Sequence, residues 1–394
     1  MGKNIILPKQ KDGRKRAVNM NMRVVYILNT NSVYGANRSL ASFISYLAGN
    51  GVKCFVVLPE TGGIEEELRE LGVECFIATY RACVRYPGYI GMPYLVNLVN
   101  IPRIAGQIKK WNVDIIHTNS STHDIGIIIA RLLGKKHVWH VREVLEQHFH
   151  TTYYFPGFYK KMRGKSDAVI CVSNYVYNYN LDKFPNPNMK MLYNPFDLDY
   201  YNIVRTGFAE KEEIRILIAG NITESKGQKD GIKALAELKH RGINNVKMVL
   251  AGEAEKKCLD EIEALIREKQ LERNVNYLGH VSDLRPIRAE CDIALNCSFA
   301  EALPRVTVEG MLSELLSIGA DSGGTAELIK DGITGLLYEP GNYIQLADQI
   351  EFAINNKLKC RQMIIEAKKY AAANFRLEAN AQKLLTLYKE IAGR

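Results

Sequence analysis

Two glutamates, Glu301 and Glu309, enclose the stretch ALPRVTV in the last third of the chain. Paired carboxylates first raise acid–base hydrolysis. Pro304 suits a helix start, because its fixed φ and missing N–H fit the first turn. Glu309 then lies inside the helix and Glu301 ahead of it. Eight residues along a helix rise about 12 Å, whereas glycosidase pairs need about 5–9.5 Å. The two carboxylates therefore do not flank one bond; they suit separate hydrogen-bond anchors for hydroxyl-rich parts of one extended ligand. Lys226-Gly227, in AGNITESKGQ, follows an apolar strand and opens a helix. A lysine there neutralises a diphosphate as a point charge, and the helix N-terminus adds its dipole; the alternative is an ordinary surface lysine. Gly35, in SVYGANRSL, stands alone in the first strand-to-helix loop. Without G-x-G-x-x-G, a nicotinamide or flavin dinucleotide loses its main support. One glycine before a helix still lets an anion approach backbone N–H groups, or serves as a plain turn.

The elements that must position these residues alternate strand and helix. RVVYIL (23–28), KCFVVL (53–58), ECFIA (74–78), DIIHT (114–118), KHVWHV (136–141), AVICV (168–172) and MKMLY (189–193) read as strands. Between the first two, Leu40, Phe43, Ile44 and Leu47 fall on one helix face. A second cycle runs through IRILIAG (214–220), VKMVLAG (246–252), VNYLG (275–279), DIALNC (292–297), SIGA (317–320) and TGLLYEP (334–340). Short apolar strands separated by helices imply parallel sheets buried on both faces. The fold class is α/β, two doubly wound Rossmann-like domains with ligands at the carboxyl ends of the strands. The reading divides the chain into a basic tail (1–21), a first domain (22–198), a linker (199–213), a second domain (214–375) and a last helix (376–394). That helix carries the stripe Leu377, Ala381, Leu384, Leu385, Tyr388 and Ile391 and is expected to pack back on the first domain.

Composition narrows the function classes. The 394 residues are 47% apolar and 24% charged, which supports a packed core. Eight cysteines without a C-x-x-C pair argue for reduced thiols in a cytosolic setting rather than a disulfide scaffold or zinc ribbon. The net charge of +9 owes much to Lys3, Lys9, Lys11, Arg14, Lys15 and Arg16, set against Asp12. The body of the chain is only mildly basic, which argues against nucleic acid as a partner. Six of the eight histidines lie between 117 and 150, but His137 and His140 point to opposite faces of a strand, and no H-E-x-x-H or facial triad is present. No metal site is expected.

In order and spacing, these motifs resemble the retaining glycosyltransferases of family 4, with the GT-B fold of two Rossmann-like domains facing across a cleft. The resemblance runs from about Arg23 to the last helix. Glu301 and Glu309 match the family's Glu-x7-Glu and Lys226-Gly227 its phosphate loop, while SDAVICVSN (166–174), MLYNPFD (191–197) and DSGGTAELIKDGITGLLYEPGN (321–342) resemble its remaining signatures. The resemblance implies a nucleotide-sugar donor, UDP- or GDP-linked, as substrate, no cofactor, and a hydroxyl acceptor in surface-polysaccharide assembly, a glycan or a lipid-linked one. Glu301 would bind donor-sugar hydroxyls, Glu309 the ribose, and Lys226 the diphosphate. Backbone N–H groups of Ala302, Leu303, Pro304, Arg305 and Val306 at the helix start (proline supplying none) would hold the distal phosphate and sugar. Gly35 would approach the same phosphate from the first domain, His140 would line the sugar site, and His280 would lie near the nucleobase. The family's usual arginine is replaced by Asn221, and Glu314 and Leu316 stand where glycine and proline are typical. A nucleotide-sugar epimerase, a phosphorylase and a non-catalytic relative are the alternatives.

One segment points to a surface. HFHTTYYFPGFYKKMRGK (148–165) sets aromatic residues directly before Lys160, Lys161, Arg163 and Lys165. Rings beside basic side chains suit a lipid headgroup interface, and the bland reading is core aromatics with a solvated basic face. The functional reading is a cytoplasmic enzyme held peripherally on an anionic membrane surface, the inner face of the cell membrane.

Overall fold

A computed structural model describes residues 21–33, 35–85, 93–149, 151–205, 208 and 212–393. The basic stretch 1–20, the side chain of Phe149 and residues 206, 207 and 209–211 of the expected linker lie outside this described part. The chain forms two compact units. The first holds the described residues up to Asp197 together with Phe375–Arg394, and the second holds Leu198–Asn374.

The first unit is built on seven strands: β1 (Met22–Ile27), β2 (Val52–Leu58), β3 (Glu74–Ile77), β5 (Ile115–Thr118), β6 (Lys136–Val141), β8 (Ala168–Cys171) and β9 (Met189–Met191). They form one parallel sheet in the order β3-β2-β1-β5-β6-β8-β9. Two residue pairs, β4 (Val84–Arg85) and β7 (Thr152–Tyr153), form a separate antiparallel ladder that the apolar pattern did not signal. The central strands are buried along nearly their whole length, as expected for a sheet covered on both faces. Helix Gly35–Gly49 buries the anticipated Leu40, Phe43, Ile44 and Leu47.

Helix Leu377–Ala392 belongs to the same core. Leu377, Ala381, Leu384, Leu385 and Tyr388 pack with Met22, Val24 and Tyr26 of β1. Phe196 N donates to Phe375 O at 2.8 Å and Leu377 N to Phe196 O at 2.9 Å, so two backbone bonds stitch the returning chain in place.

The strands of the second unit are β10 (Ile214–Ala219), β11 (Val246–Ala251), β12 (Val275–Tyr277), β13 (Ile293–Asn296), β14 (Leu316–Ala320) and β15 (Leu336–Tyr338). They form a six-stranded parallel sheet ordered β12-β11-β10-β13-β14-β15. In both sheets the order reverses beside the first strand, between β1 and β5 and between β10 and β13. At such a reversal the following loops diverge and leave a crevice at the carboxyl edge. Part of the segment read as a linker is a helix, Leu198–Tyr201.

Candidate functional site

In the second unit the loops after β10 and β13 leave the sheet side by side at that reversal. The first carries Lys226 in a 3-10 turn, Glu224–Lys226, ahead of helix Gln228–His240. The second carries Glu301 ahead of helix Arg305–Leu312, whose N-cap is Pro304. Phe299 N donates to Ser225 O at 3.1 Å and ties the two loops together. Gly227 has φ 64°, and a Cβ there would lie 2.3 Å from the Cys297 carbonyl oxygen. Only glycine permits this approach, and the approach brings Lys226 to Glu301: the ammonium donates to Glu301 Oε1. Ser298 Oγ donates to the same oxygen at 2.9 Å. Gly324 N donates to Glu301 O at 2.7 Å and holds the backbone from the other side.

Glu309 has a different set of partners. Arg288 donates to its Oε2, while Arg305 and Tyr201 donate to Oε1 at 3.3 and 3.1 Å. Arg288 is 4% exposed and Glu309 12%. Such charge-assisted bonds hold the carboxylate rigidly at the first helical turns. The two glutamates thus have separate sets of partners. Sequence reasoning missed Arg288 and Tyr201. Arg288 reads as an ordinary polar helix residue and Tyr201 as part of a linker, and no local signal marks either.

The remaining second-unit candidates lie on the segments that follow β10, β12 and β13. Ala302 and Leu303 are buried, and Val306 lies in the first turn of helix Arg305–Leu312. Asn221 is exposed, and its carbonyl accepts from Gln228 Nε2 at 2.9 Å. His280 is exposed in the loop after β12. That loop is braced at Asp283, whose carboxyl the Arg285 guanidinium holds down to about 2. Glu314 has φ 58°, a left-handed backbone that costs a non-glycine residue about 1–2 kcal/mol. Lys368 pairs with its carboxylate, and Arg205 donates to its carbonyl.

In the first unit, Gly35 opens its helix with φ 52°. Asn37 braces the loop before it, donating to Thr30 O at 2.9 Å and Ser32 O at 3.0 Å. His140 is fully buried near the end of β6, with its ring 5.3 Å from His117 and 6.2 Å from Phe43. Burial, then Arg142 and His117, push its pKa well below the ordinary imidazole value, so the ring is neutral. Its Nδ1 faces Arg142 Nη2 at 3.4 Å, and its Nε2 has no hydrogen-bond partner among the described residues. Arg142 is fixed by Asn119 and Asn194, at 2.6 and 2.7 Å. The nearby histidines have structural partners: His117 Nδ1 lies 2.6 Å from Tyr388 Oη, and His137 bonds Thr118 and Ser166.

The aromatic-basic segment splits between core and surface. Tyr159 and Arg163 are fully buried, the guanidinium lying over Trp139, Tyr159 and Phe184 and donating to Asn180 Oδ1 at 2.9 Å. Arg163, expected on the basic face, is therefore a core residue, because three rings and two hydrogen-bond partners replace its water. Lys160, Lys161 and Lys165 are exposed, with Phe155 and Phe158 at 49% and 42%.

Comparisons with known proteins converge on these elements. Residues 33–200 match the model of Glycosyltransferase Family 4, and residues 202–370 match that of Glycosyl transferases group 1. A Campylobacter jejuni GalNAc-alpha-(1->4)-GalNAc-alpha-(1->3)-diNAcBac-PP-undecaprenol alpha-1,4-N-acetyl-D-galactosaminyltransferase is 26% identical over 291 residues, 72% of this chain and 77% of that protein. The Bacillus anthracis N-acetyl-alpha-D-glucosaminyl L-malate synthase is 28% identical over 238 residues, 58% of this chain and 60% of its own. The crystal structure of Anabaena Alr3699/HepE in complex with UDP superposes with a TM-score of 0.80 at 20% identity, covering 94% of this chain and all of that one. The two matched regions take in the first sheet from β2 onward, the whole second sheet and the segments bearing Lys226, Glu301 and Glu309, and the chain belongs to glycosyltransferase family 4, with the GT-B fold.

Proposed function

We propose that this chain transfers a hexose-type sugar from a nucleoside diphosphate to a hydroxyl of a lipid-linked or polysaccharide glycan, with retention at the anomeric carbon and without a metal. The observation that carries the reading is the Lys226–Glu301 pair, delivered by two loops from the reversal point of the second sheet. A diphosphate entering beside Lys226 shares the ammonium's charge, and Glu301 then accepts donor-sugar hydroxyls. Glu309 receives the ribose, steadied by Arg288 and Arg305. Backbone N–H groups from Ala302 to Val306, Asn221 and the His280 loop complete the second unit's share of the donor site. His140, neutral and with Nε2 unpaired among the described residues, is assigned to the sugar.

The reaction runs on one face. The bond between the anomeric carbon and the phosphate oxygen breaks, the nucleoside diphosphate leaves, and an oxocarbenium-like centre forms. The acceptor oxygen bonds to that carbon from the side of the leaving group, and its proton passes to the departing phosphate oxygen. Lys226 and the helix-start N–H groups stabilise the charge that develops on the phosphate, and the protein holds acceptor and donor together on that one face. UDP is the first base to test, since the Anabaena structure is a UDP complex. An undecaprenol-linked glycan is the acceptor class suggested by the Campylobacter relative's name.

Incubation with UDP-, GDP- and ADP-sugars and an undecaprenyl-diphosphate glycan, followed by NMR of the product, tests this. An α-linked product from an α-linked donor is expected. An inverted product, or epimerised donor without transfer, refutes the reading. No helix among the described residues is long and apolar enough to cross a membrane, and we assign membrane contact to Phe155, Phe158, Lys160, Lys161 and Lys165. Anionic vesicles should sediment a chain lacking residues 1–20 and release it in high salt. Failure of that chain to sediment removes this face from the proposal.

A further inference from the structure

The short helix Leu198–Tyr201 carries two neighbouring tyrosines into the loops of the second unit. Tyr200 Oη donates to Asp283 Oδ1 at 3.1 Å, and the Arg285 guanidinium lies 4.4 Å from the centre of the Tyr200 ring. Tyr201 Oη donates to Glu309 Oε1 at 3.1 Å. Tyr201 is 5% exposed, its ring 4.9 Å from that of Tyr200 and 5.6 Å from the Arg288 guanidinium. Further along, Arg205 donates to the carbonyls of Glu314 and Cys291. The segment is thus pinned at Tyr200 and at Arg205, and the Tyr201 hydroxyl bond lies between two anchors.

Glu309 has too few acceptor positions to keep these donors and hold a ribose as well. A carboxylate offers about four. Arg288, Arg305 and Tyr201 already take three. A ribose brings two hydroxyls, so at least one of the three donors must leave. Arg288 is 4% exposed, and stripping a buried cation of its carboxylate is the costly choice. Arg305 stands one turn before Glu309 on the same helix, and its charge still attracts the carboxylate when the bond lengthens. Tyr201 is uncharged and supplies a single O–H. A ribose hydroxyl offers Oε1 the same kind of bond, so the exchange leaves Glu309 equally satisfied. The displaced phenol loses its acceptor, and that loss opposes nucleotide binding.

We propose that the Tyr201 hydroxyl is a stand-in for a ribose hydroxyl, holding Glu309 in place until a nucleoside diphosphate displaces it. The proposal rests on the reading of Glu309 as the ribose anchor. Tyr201 weakens the bound nucleotide and so hastens release of the nucleoside diphosphate product. It is the fourth residue of the second unit, which begins at Leu198, so occupancy of the nucleotide site alters the segment by which the chain enters that unit.

Tyr201→Phe keeps the ring and removes only the hydroxyl. Calorimetry on the full chain, with UDP and GDP as probes, compares this variant with the wild type. The dissociation constant of whichever nucleotide binds should fall about tenfold, the worth of one charge-assisted hydrogen bond. The melting temperature of the nucleotide-free variant should fall at the same time, whereas a tyrosine that merely supports Glu309 would lower both stability and nucleotide affinity. In a second measurement, 3-fluorotyrosine incorporated at position 201 should show a fluorine resonance that moves when nucleotide saturates the site. An unchanged or raised dissociation constant in Tyr201→Phe, or a resonance that saturation leaves in place, overturns the proposal. If neither nucleotide binds the wild type, or if Glu309→Gln binds it as the wild type does, the ribose reading itself fails and takes the proposal with it.

Discussion

Replacing Gly227 by alanine tests the claim that close loop approach builds the donor site. Two costs are separable. The first is conformational: at φ 64° an L-residue sits in the left-handed region, about 1–2 kcal/mol above its normal backbone. The second is steric: the new Cβ would lie 2.3 Å from the Cys297 carbonyl oxygen, and a backbone atom cannot swing aside. Relieving that overlap moves the loop after β10 away from the end of β13 by about an ångström, and misplacement on that scale is worth up to about 100-fold in a positioned site. Gly242 is the control. It has φ 85°, and a Cβ there would meet nothing within 4 Å, so Gly242→Ala carries the conformational cost alone. For a unit of this size, 1 kcal/mol shifts the melting temperature by about 2–4 °C. Gly242→Ala should lower it by about 2–8 °C and leave UDP affinity unchanged in calorimetry. Gly227→Ala should lower it at least twice as far and weaken UDP at least tenfold. Equal melting shifts in the two variants, with UDP binding intact in both, refute the reasoning.

Glu309→Ala leaves Arg288 buried beside a lost partner, so about 3 kcal/mol of stability should go in addition to ribose affinity; an unchanged melting temperature contradicts the pairing. Glu301→Gln should cut sugar transfer strongly yet keep or tighten binding of bare UDP, because Lys226 is released from its ion pair; weaker UDP binding assigns Glu301 to the nucleotide instead. The buried histidines predict acid sensitivity. Burial lowers His117, His123, His137 and His140, with His123 brought to about 4 and His137 to about 3, from an ordinary 6.5. A depressed folded pKa gives stability that is present above pH 6.5 and lost as the pH falls, by up to about 1.4 kcal/mol per unit for each ring. Melting of the first unit should therefore drop steeply from pH 6.5 to 4.5, and a flat profile there shows that the rings are solvated.

The sequence by itself determined the features that rest on local covalent geometry and on burial periodicity. Runs such as RVVYIL and IRILIAG must be strands buried on both faces, and the parallel sheets follow from the helices between them. Pro304 marks a helix start because its fixed φ and missing N–H suit that position, and Gly227 closes the 3-10 turn before the next helix with the positive φ that glycine takes freely. Only the tertiary structure decided who meets whom. Strand order sets β10 beside β13, which joins Lys226 to Glu301 across 75 positions, and Tyr201 reaches Glu309 across 108. Neither contact leaves a local trace, since an ion pair depends on distance in space and periodicity reports only which face is hidden. Arg163 shows the same limit: its charge reads as surface, yet rings and hydrogen bonds drawn from Trp139, Tyr159, Asn180 and Phe184 solvate it in the core. The two-residue strands β4 and β7 are too short to carry any period, and only their pairing defines them.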